Sequence, residues 1–249
     1  MEPLDLAVVT AFVEENIVDF HQRRLEKLQR LDLKVVLKRK NPYLFRAKNL
    51  LVAHDLVKSV LDAYLSSQEE TLFGSFLEEL AIFVAQQVWG GRKSTAEGID
   101  LELEKDGVLY LVSIKSGPNW GNSSQIARMR TNFKQAIKRV RQNRRVQSVQ
   151  AVNGCCYGRD SRPDKGDYLK LCGQRFWAFI SGDEQFYIKI VEPLGHRAKE
   201  KNEAFQQEYA RLLNRLSGEF IRDFCEADGT VDWAKLLRFN SGQEPWKVG

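Results

Sequence analysis

Residues 98–115 read GIDLELEKDGVLYLVSIK, and they constrain the fold more than any other stretch of the chain. Apolar residues alternate with acids, so that Ile99, Leu101 and Leu103 share one face and Asp100, Glu102 and Glu104 the other. A period of two marks a strand with one buried side. Asp106-Gly107 then supplies the dipeptide suited to a two-residue turn with positive φ at both positions. Such a turn sets the register: Lys105 pairs with Val108, Glu104 with Leu109, and so on until Asp100 faces Ser113. The same parity puts Asp100, Ser113 and Lys115 on one face of the sheet. A lysine ending an apolar strand can simply discourage edge pairing. Lys115 shares its face with an aspartate and precedes the loop SGPNWGNSSQ, which points to chemistry instead.

Helical periodicity surrounds this hairpin. Leu6, Val9, Val13, Ile17, Phe20, Leu25 and Leu28 predict a helix over residues 3–30. LKVVLKRKNPYLFRAKN (33–49) reads as a strand or extended piece leading into a Pro-containing turn. A helix over about 51–65 follows, then a polar break at SSQEE (66–70). The next helix, TLFGSFLEELAIFVAQQVWGG (71–91), is mostly apolar and ends at the glycine pair Gly90 and Gly91. After the hairpin, NSSQIARMRTNFKQAIKRVRQ (122–142) is amphipathic, with Ile126, Met129, Phe133, Ile137 and Val140 as its apolar stripe. Arg130, Lys134, Lys138, Arg141 and Arg145 line another face, and Asn122 or Ser123 can cap its start. A third strand at VQSVQAV (146–152), a loop over 153–168, a short aromatic helix at GQRFWAFIS and a long helix over about 197–225 complete the chain. The sum is an α/β fold with a mixed central sheet flanked by helices. An N-terminal helical region (1–65), a core (66–196) and a C-terminal helical region (197–249) are expected to make one compact unit.

Charge narrows the partner. From Gly107 through Arg159 there is no acid and there are ten cations, +10 against a whole-chain net of +5, so the remainder stands at −5. A solvated helix face normally mixes its charges, whereas an acid-free basic block reads as a footprint for a polyanion such as DNA. Arg128, Arg130, Lys134 and Lys138 would mostly hold the phosphate backbone. In the loop, Asn119, Trp120, Asn122, Ser123, Ser124 and Gln125 could reach phosphates or base edges, although turn chemistry and helix capping use the same residue types. The apolar runs are interrupted by Glu14, Glu15 and Asp19, which argues against a signal peptide or membrane span. Cys155, Cys156, Cys172 and Cys225 lack the spacing of a zinc site or a disulfide framework, so a reducing cytoplasm is the expected setting. Buried thiols are the simpler reading than a metal site shared with His196, and His21 and His54 read as packing or surface residues.

Helix, strand with Asp, strand ending in x-Lys, basic helix, strand: this order is that of the PD-(D/E)XK nuclease core. Phosphodiester hydrolysis needs a divalent cation to neutralise developing charge, and Mg²⁺ takes oxygen ligands, so carboxylates must converge near a lysine. NPYLFRAKN, LFGSFLEELAIFV, GIDLELE, LVSIKSGPNWGNSSQ, NGCCYGRD and EPLGHRAKEKNEAF together resemble the type II restriction endonucleases of the PmeII kind, a branch of that superfamily. The resemblance runs from about Leu37 to Asn240. It implies Mg²⁺-dependent cleavage of double-stranded DNA at a short specific site, leaving a 5′-phosphate and a 3′-hydroxyl. It also implies a homodimer, with N- and C-terminal helices building dimer and DNA contacts, and a cognate DNA methyltransferase as functional partner. By position, Asp100 would be the metal-binding acid and Lys115 the lysine of the motif.

One residue departs from the pattern. The superfamily carries Asp or Glu two residues before the lysine, and this chain has Ser113. Some related enzymes with S-x-K bring a glutamate from the following helix, but no acid occurs here between Asp106 and Asp160. The candidates lie upstream: Glu78 first, on the helix before the hairpin, then Glu79 and Glu102. Solvated surface acids, a decayed site in a DNA-binding protein, and a less specific repair or phage-defence nuclease stay open as alternatives.

Overall fold

In the computed structural model, which describes residues 4–143 and 148–243, the hairpin anchors a five-stranded sheet in the order β1-β2-β3-β4-β5. The chain enters through helices α1 (Leu6–Gln29), α2 (Leu33–Lys38), α3 (Pro42–Ala47) and α4 (Ala53–Trp89). Then come β1 (Arg92–Lys93), β2 (Leu101–Lys105), β3 (Val108–Lys115), α5 (Ser123–Asn143), β4 (Ser148–Cys155) and β5 (Leu169–Cys172). The C-terminal part holds α6 (Gln174–Ser181), α7 (Phe186–Lys189), α8 (Val191–Leu194), α9 (Ala198–Phe224) and α10 (Trp233–Ser241). The sheet is mixed: β1, β2 and β3 run antiparallel, while β4 and β5 lie parallel to β3. No helix among the described residues is long and apolar enough to cross a membrane.

The turn dipeptide behaves as its chemistry demands. Asp106 (φ 52°) and Gly107 (φ 74°) both occupy the left-handed region, and the ladder runs from Lys105↔Val108 to Leu101↔Val112. Asp100 lies one residue beyond the end of this ladder, its N–H donating to Val112 O at 2.8 Å. The crossover from β3 to β4 carries α5, whose buried Met129, Phe133 and Ala136 pack with Leu109, Leu111, Ala151 and Tyr168. α4 ends at Trp89 with Gly90 at φ 63°, as the glycine pair predicts.

Three local expectations are corrected. Residues 33–49 are not extended but form α2 and α3. The Asp32 carboxylate accepts from Lys34 N and Val35 N, and Asn41 accepts from Tyr43 N with Pro42 opening the helix. Two N-caps outweigh the β-branched pair Val35-Val36. Nor does SSQEE break a helix: α4 runs through it unbroken for 37 residues. The stretch holds no Gly or Pro, and the Ser67 and Thr71 hydroxyls bond back to the carbonyls of Ala63 and Ser67. β4 continues through Asn153, Gly154 and Cys155, where the Asn-Gly dipeptide suggested a loop. β1, β5, α7, α8 and α10 were not anticipated; each is short, and a short run carries little periodicity.

The chain divides into two compact units, one of Met1–Val18 and Phe73–His196, the other of Asp19–Leu72 and Arg197–Gly249. The first holds the sheet with α5. The second is helical, its core built of residues such as Leu28, Leu56, Leu61, Leu216 and Phe220.

Candidate active site

The site forms where β3 ends. Lys115 is its last residue, and its Nζ lies 3.7 Å from Asp100 Oδ2 while donating to Ile114 O at 2.8 Å. The Asp100 carboxylate is held by the backbone of the partner strand, accepting from Ile114 N at 2.6 Å. Ser113 is buried, and its Oγ lies 3.5 Å from the same Asp100 oxygen. Trp120 closes the lysine from the loop side, its ring centre 5.5 Å from Lys115 Nζ.

Glu78 joins this group from α4. Gly74, one turn earlier, packs on Ser116, so a Cβ there would meet Ser116 Cβ at 3.6 Å. Burial and then the charge of Asp100 push the Glu78 carboxyl above the usual glutamate range, against the pull of Lys93 and Lys115. Glu79 is exposed and adds a smaller push in the same direction. Glu102 is engaged elsewhere, with Arg92 Nη2 at 2.7 Å and Ser94 Oγ at 2.9 Å from its two oxygens. Asp100, Lys115, Ser113 and Glu78 therefore come together, and Glu102 is tied to the β1 edge.

Two carboxylates that repel each other in a half-buried place make a donor set of oxygens. Among the described residues no group of three or more His, Cys, Asp and Glu side chains could cage a metal ion. Magnesium does not require one, since it commonly binds through one or two carboxylates and takes its other oxygens from water and substrate phosphate. The residues present fit that ion. The thiols do not compete: all four cysteines are free, Cys155, Cys156 and Cys172 are buried, and burial pushes Cys156 up to about 12. His196 pairs with Glu14 at 3.5 Å, away from any cysteine cluster.

The loop residues divide by role. Asn122 and Gln125 form a reciprocal cap, each backbone N–H donating to the other's side-chain oxygen at 2.9 and 3.0 Å. Asn119, Ser123 and Ser124 are exposed. Trp120 Nε1 donates to Asn153 Oδ1 at 3.1 Å, so its polar edge is committed to the fold. Arg128 meets Glu97 at 2.8 Å and Arg130 lies 3.6 Å from Asp167. Lys134 and Lys138 are exposed, with no carboxylate at ion-pair distance among the described residues. Arg144 and Arg145 lie outside the described residues.

Asn153 is the residue the sequence hid. Buried in β4, it donates to Ser113 O at 3.2 Å and accepts from Trp120, tying β3 to the loop that follows it. Asn-Gly looks like a turn, yet Gly154 is there because a Cβ would sit 2.2 Å from the Phe176 ring. Lys93 beside Glu78 was also missed, since a two-residue edge strand leaves no pattern.

The comparisons with known proteins bear on this geometry. The family model described as Type II restriction endonuclease EcoO109I matches residues 7–202, which include Glu78, Asp100, Ser113 and Lys115. A search of curated proteins finds no match.

Proposed function

The chain belongs to the EcoO109I family of type II restriction endonucleases, and from that premise we propose that it hydrolyses double-stranded DNA at a short specific site through Asp100, Glu78 and Lys115. The observation that carries the reading is the convergence of these three at the end of β3, in the same unit as an acid-free basic helix. Likeness to the PmeII kind within the superfamily rests on the quoted sequence blocks alone.

Asp100 and Glu78 would hold Mg²⁺, which when bound supplies positive charge at the phosphate and makes water more acidic. The chain's own groups do the rest. Lys115 sets an ammonium beside the scissile phosphate, where it stabilises the charge of the transition state and orients the attacking water. Ser113 cannot stand in for a carboxylate; its hydroxyl keeps Asp100 company while Glu78 provides the second charge. The exposed faces of α5 and of the 119–125 loop hold the phosphate backbone, Lys134 and Lys138 being among the α5 cations with no carboxylate at ion-pair distance among the described residues. Exposed Asn119, Ser123 and Ser124 are the groups available for base edges. Action as a homodimer, a cognate methyltransferase that protects the host site, and a cytoplasmic setting complete the reading.

Incubating the purified protein with plasmid DNA tests it. Discrete fragments in Mg²⁺ and none in EDTA are expected. Absence of cleavage alongside salt-sensitive DNA binding would instead favour a decayed site, as Ser113 taken alone suggests, and a smear would favour a general nuclease.

Glu78 offers a check that needs no cleavage. Because the fold raises its pKa, the ionised form is disfavoured, so metal-free stability falls as pH rises from the ordinary glutamate range through the raised value. Glu78→Gln removes that charge. The variant should melt a few degrees higher than wild type at neutral pH without metal. It should also lose most of the Mg²⁺-dependent rise in melting temperature expected of wild type. Identical Mg²⁺ shifts in both proteins would remove Glu78 from the metal site.

A further inference from the structure

The helical unit carries a basic stretch of its own. Between Asp32 and Asp55 there is no acid, and there are six cations: Lys34, Lys38, Arg39, Lys40, Arg46 and Lys48. This stretch folds as α2, α3 and the turn leading to α4. It also exposes apolar side chains in sequence: Tyr43 at 64%, Leu44 at 49%, Leu51 at 64% and Val52 at 57%. Single exposed apolar residues need no explanation, but a run of them interleaved with cations marks a contact surface.

The face is rigid enough to present them. Leu33, Val36, Leu37, Pro42 and Phe45 are buried beneath it. Asn240 Nδ2 donates to Leu37 O at 2.8 Å and Lys40 O at 3.3 Å, pinning the link between the two helices. Lys40 is drawn inward, donating to Ala63 O at 2.6 Å. Arg39, Arg46 and Lys48 stay exposed, with no carboxylate at ion-pair distance among the described residues. Arg46 lies 5.5 Å from the Trp233 ring centre and Lys48 5.7 Å from that of Phe45, which limits how far their stems swing.

The occupant follows from charge. A second copy in a two-fold contact would set these cations against themselves, which is repulsive. A membrane-surface helix needs a longer amphipathic face than the six residues of α2 or of α3. Unneutralised cations with an exposed tyrosine suit a nucleic acid, phosphates for the cations and a sugar or base edge for the ring. We propose that the α2–α3 face of the helical unit is a DNA-contacting surface in its own right, with Arg39, Arg46 and Lys48 on phosphates and Tyr43 against a sugar or base. The inference rests on the reading that this protein acts on DNA, and it adds a contact surface separate from α5.

Fluorescence anisotropy of the full-length protein on a labelled DNA duplex, in EDTA and over a range of salt, tests the proposal. The variant Arg39→Ala/Arg46→Ala/Lys48→Ala should bind at least about tenfold more weakly, and the slope of log affinity against log salt should fall by roughly 2–3. Tyr43→Ala should lose affinity about three-fold or more with the slope unchanged. If the triple variant does not melt as wild type does, the single change Arg39→Glu serves, with an expected slope loss of about 1. Wild-type affinity and slope in these folded variants overturn the inference and leave the proposed function standing. A wild-type protein that binds no duplex overturns the proposed function itself. Loss of binding to phosphatidylserine vesicles with duplex affinity intact assigns the face to membranes, and overturns the inference too.

Discussion

Lys115→Ala is expected to lower DNA cleavage by at least about 10³-fold while duplex affinity changes by no more than a few-fold. The ammonium is partly exposed at the end of β3, 3.7 Å from Asp100 Oδ2 and 2.8 Å from Ile114 O. Its ion pair with Asp100 is in reach of solvent, so removing it should cost about 1 kcal/mol of stability or less. Activity and stability therefore separate: the variant should melt close to wild type and still fail to cut. Plasmid digestion, duplex anisotropy and a thermal melt on one preparation measure all three. A folded Lys115→Ala protein that still cuts would show that another residue carries the chemistry.

Asp100 should behave differently, because the proposed metal role would come on top of a structural one. One oxygen accepts the Ile114 N–H at 2.6 Å, and Ile114 is buried. Asp100→Ala leaves that N–H without its acceptor, at a cost of roughly 1–3 kcal/mol. Asp100→Asn keeps a carbonyl oxygen for the same bond and removes only the charge. Both substitutions should abolish cleavage, by about 10²-fold at the least for asparagine. Only the alanine variant should show a clear fall in denaturant midpoint. Equal stability of the two would mean that the Ile114 bond contributes little, and an active asparagine variant would take Asp100 out of the proposed metal site.

The hairpin was legible because two independent signals agree there. Alternation tells which side chains share a face, and Asp106-Gly107 tells where the chain reverses, so the register of Asp100 against the Ser113–Lys115 segment follows from both. Glu78 is a different case. Nothing in the periodicity of α4 says which of Glu78 and Glu79 turns toward the sheet end, and the choice came from the family resemblance; the packing of Gly74 on Ser116 supplies the physical reason. The misreadings share a cause. Val35-Val36 suggested a strand, SSQEE a break and Asn153-Gly154 a turn, each from residue preference within a few positions. Caps at Asp32 and Asn41 decided the first, and back-bonded hydroxyls with the absence of Gly or Pro decided the second. Only Phe176, distant in sequence, explains the third. The α2–α3 surface stayed hidden for the same reason, since reading that stretch as extended leaves its exposed face undefined.

Asp100, Glu78 and Lys115 are proposed to form one hydrolytic centre that cuts DNA at a defined sequence. Sequencing every fragment end from an exhaustive plasmid digest, with wild type and Asp100→Asn side by side, tests it most directly. Wild type in Mg²⁺ should give ends that share one short sequence and carry 5′-phosphates, and Asp100→Asn should give none. Ends without a common sequence, or the same ends from Asp100→Asn, would contradict it.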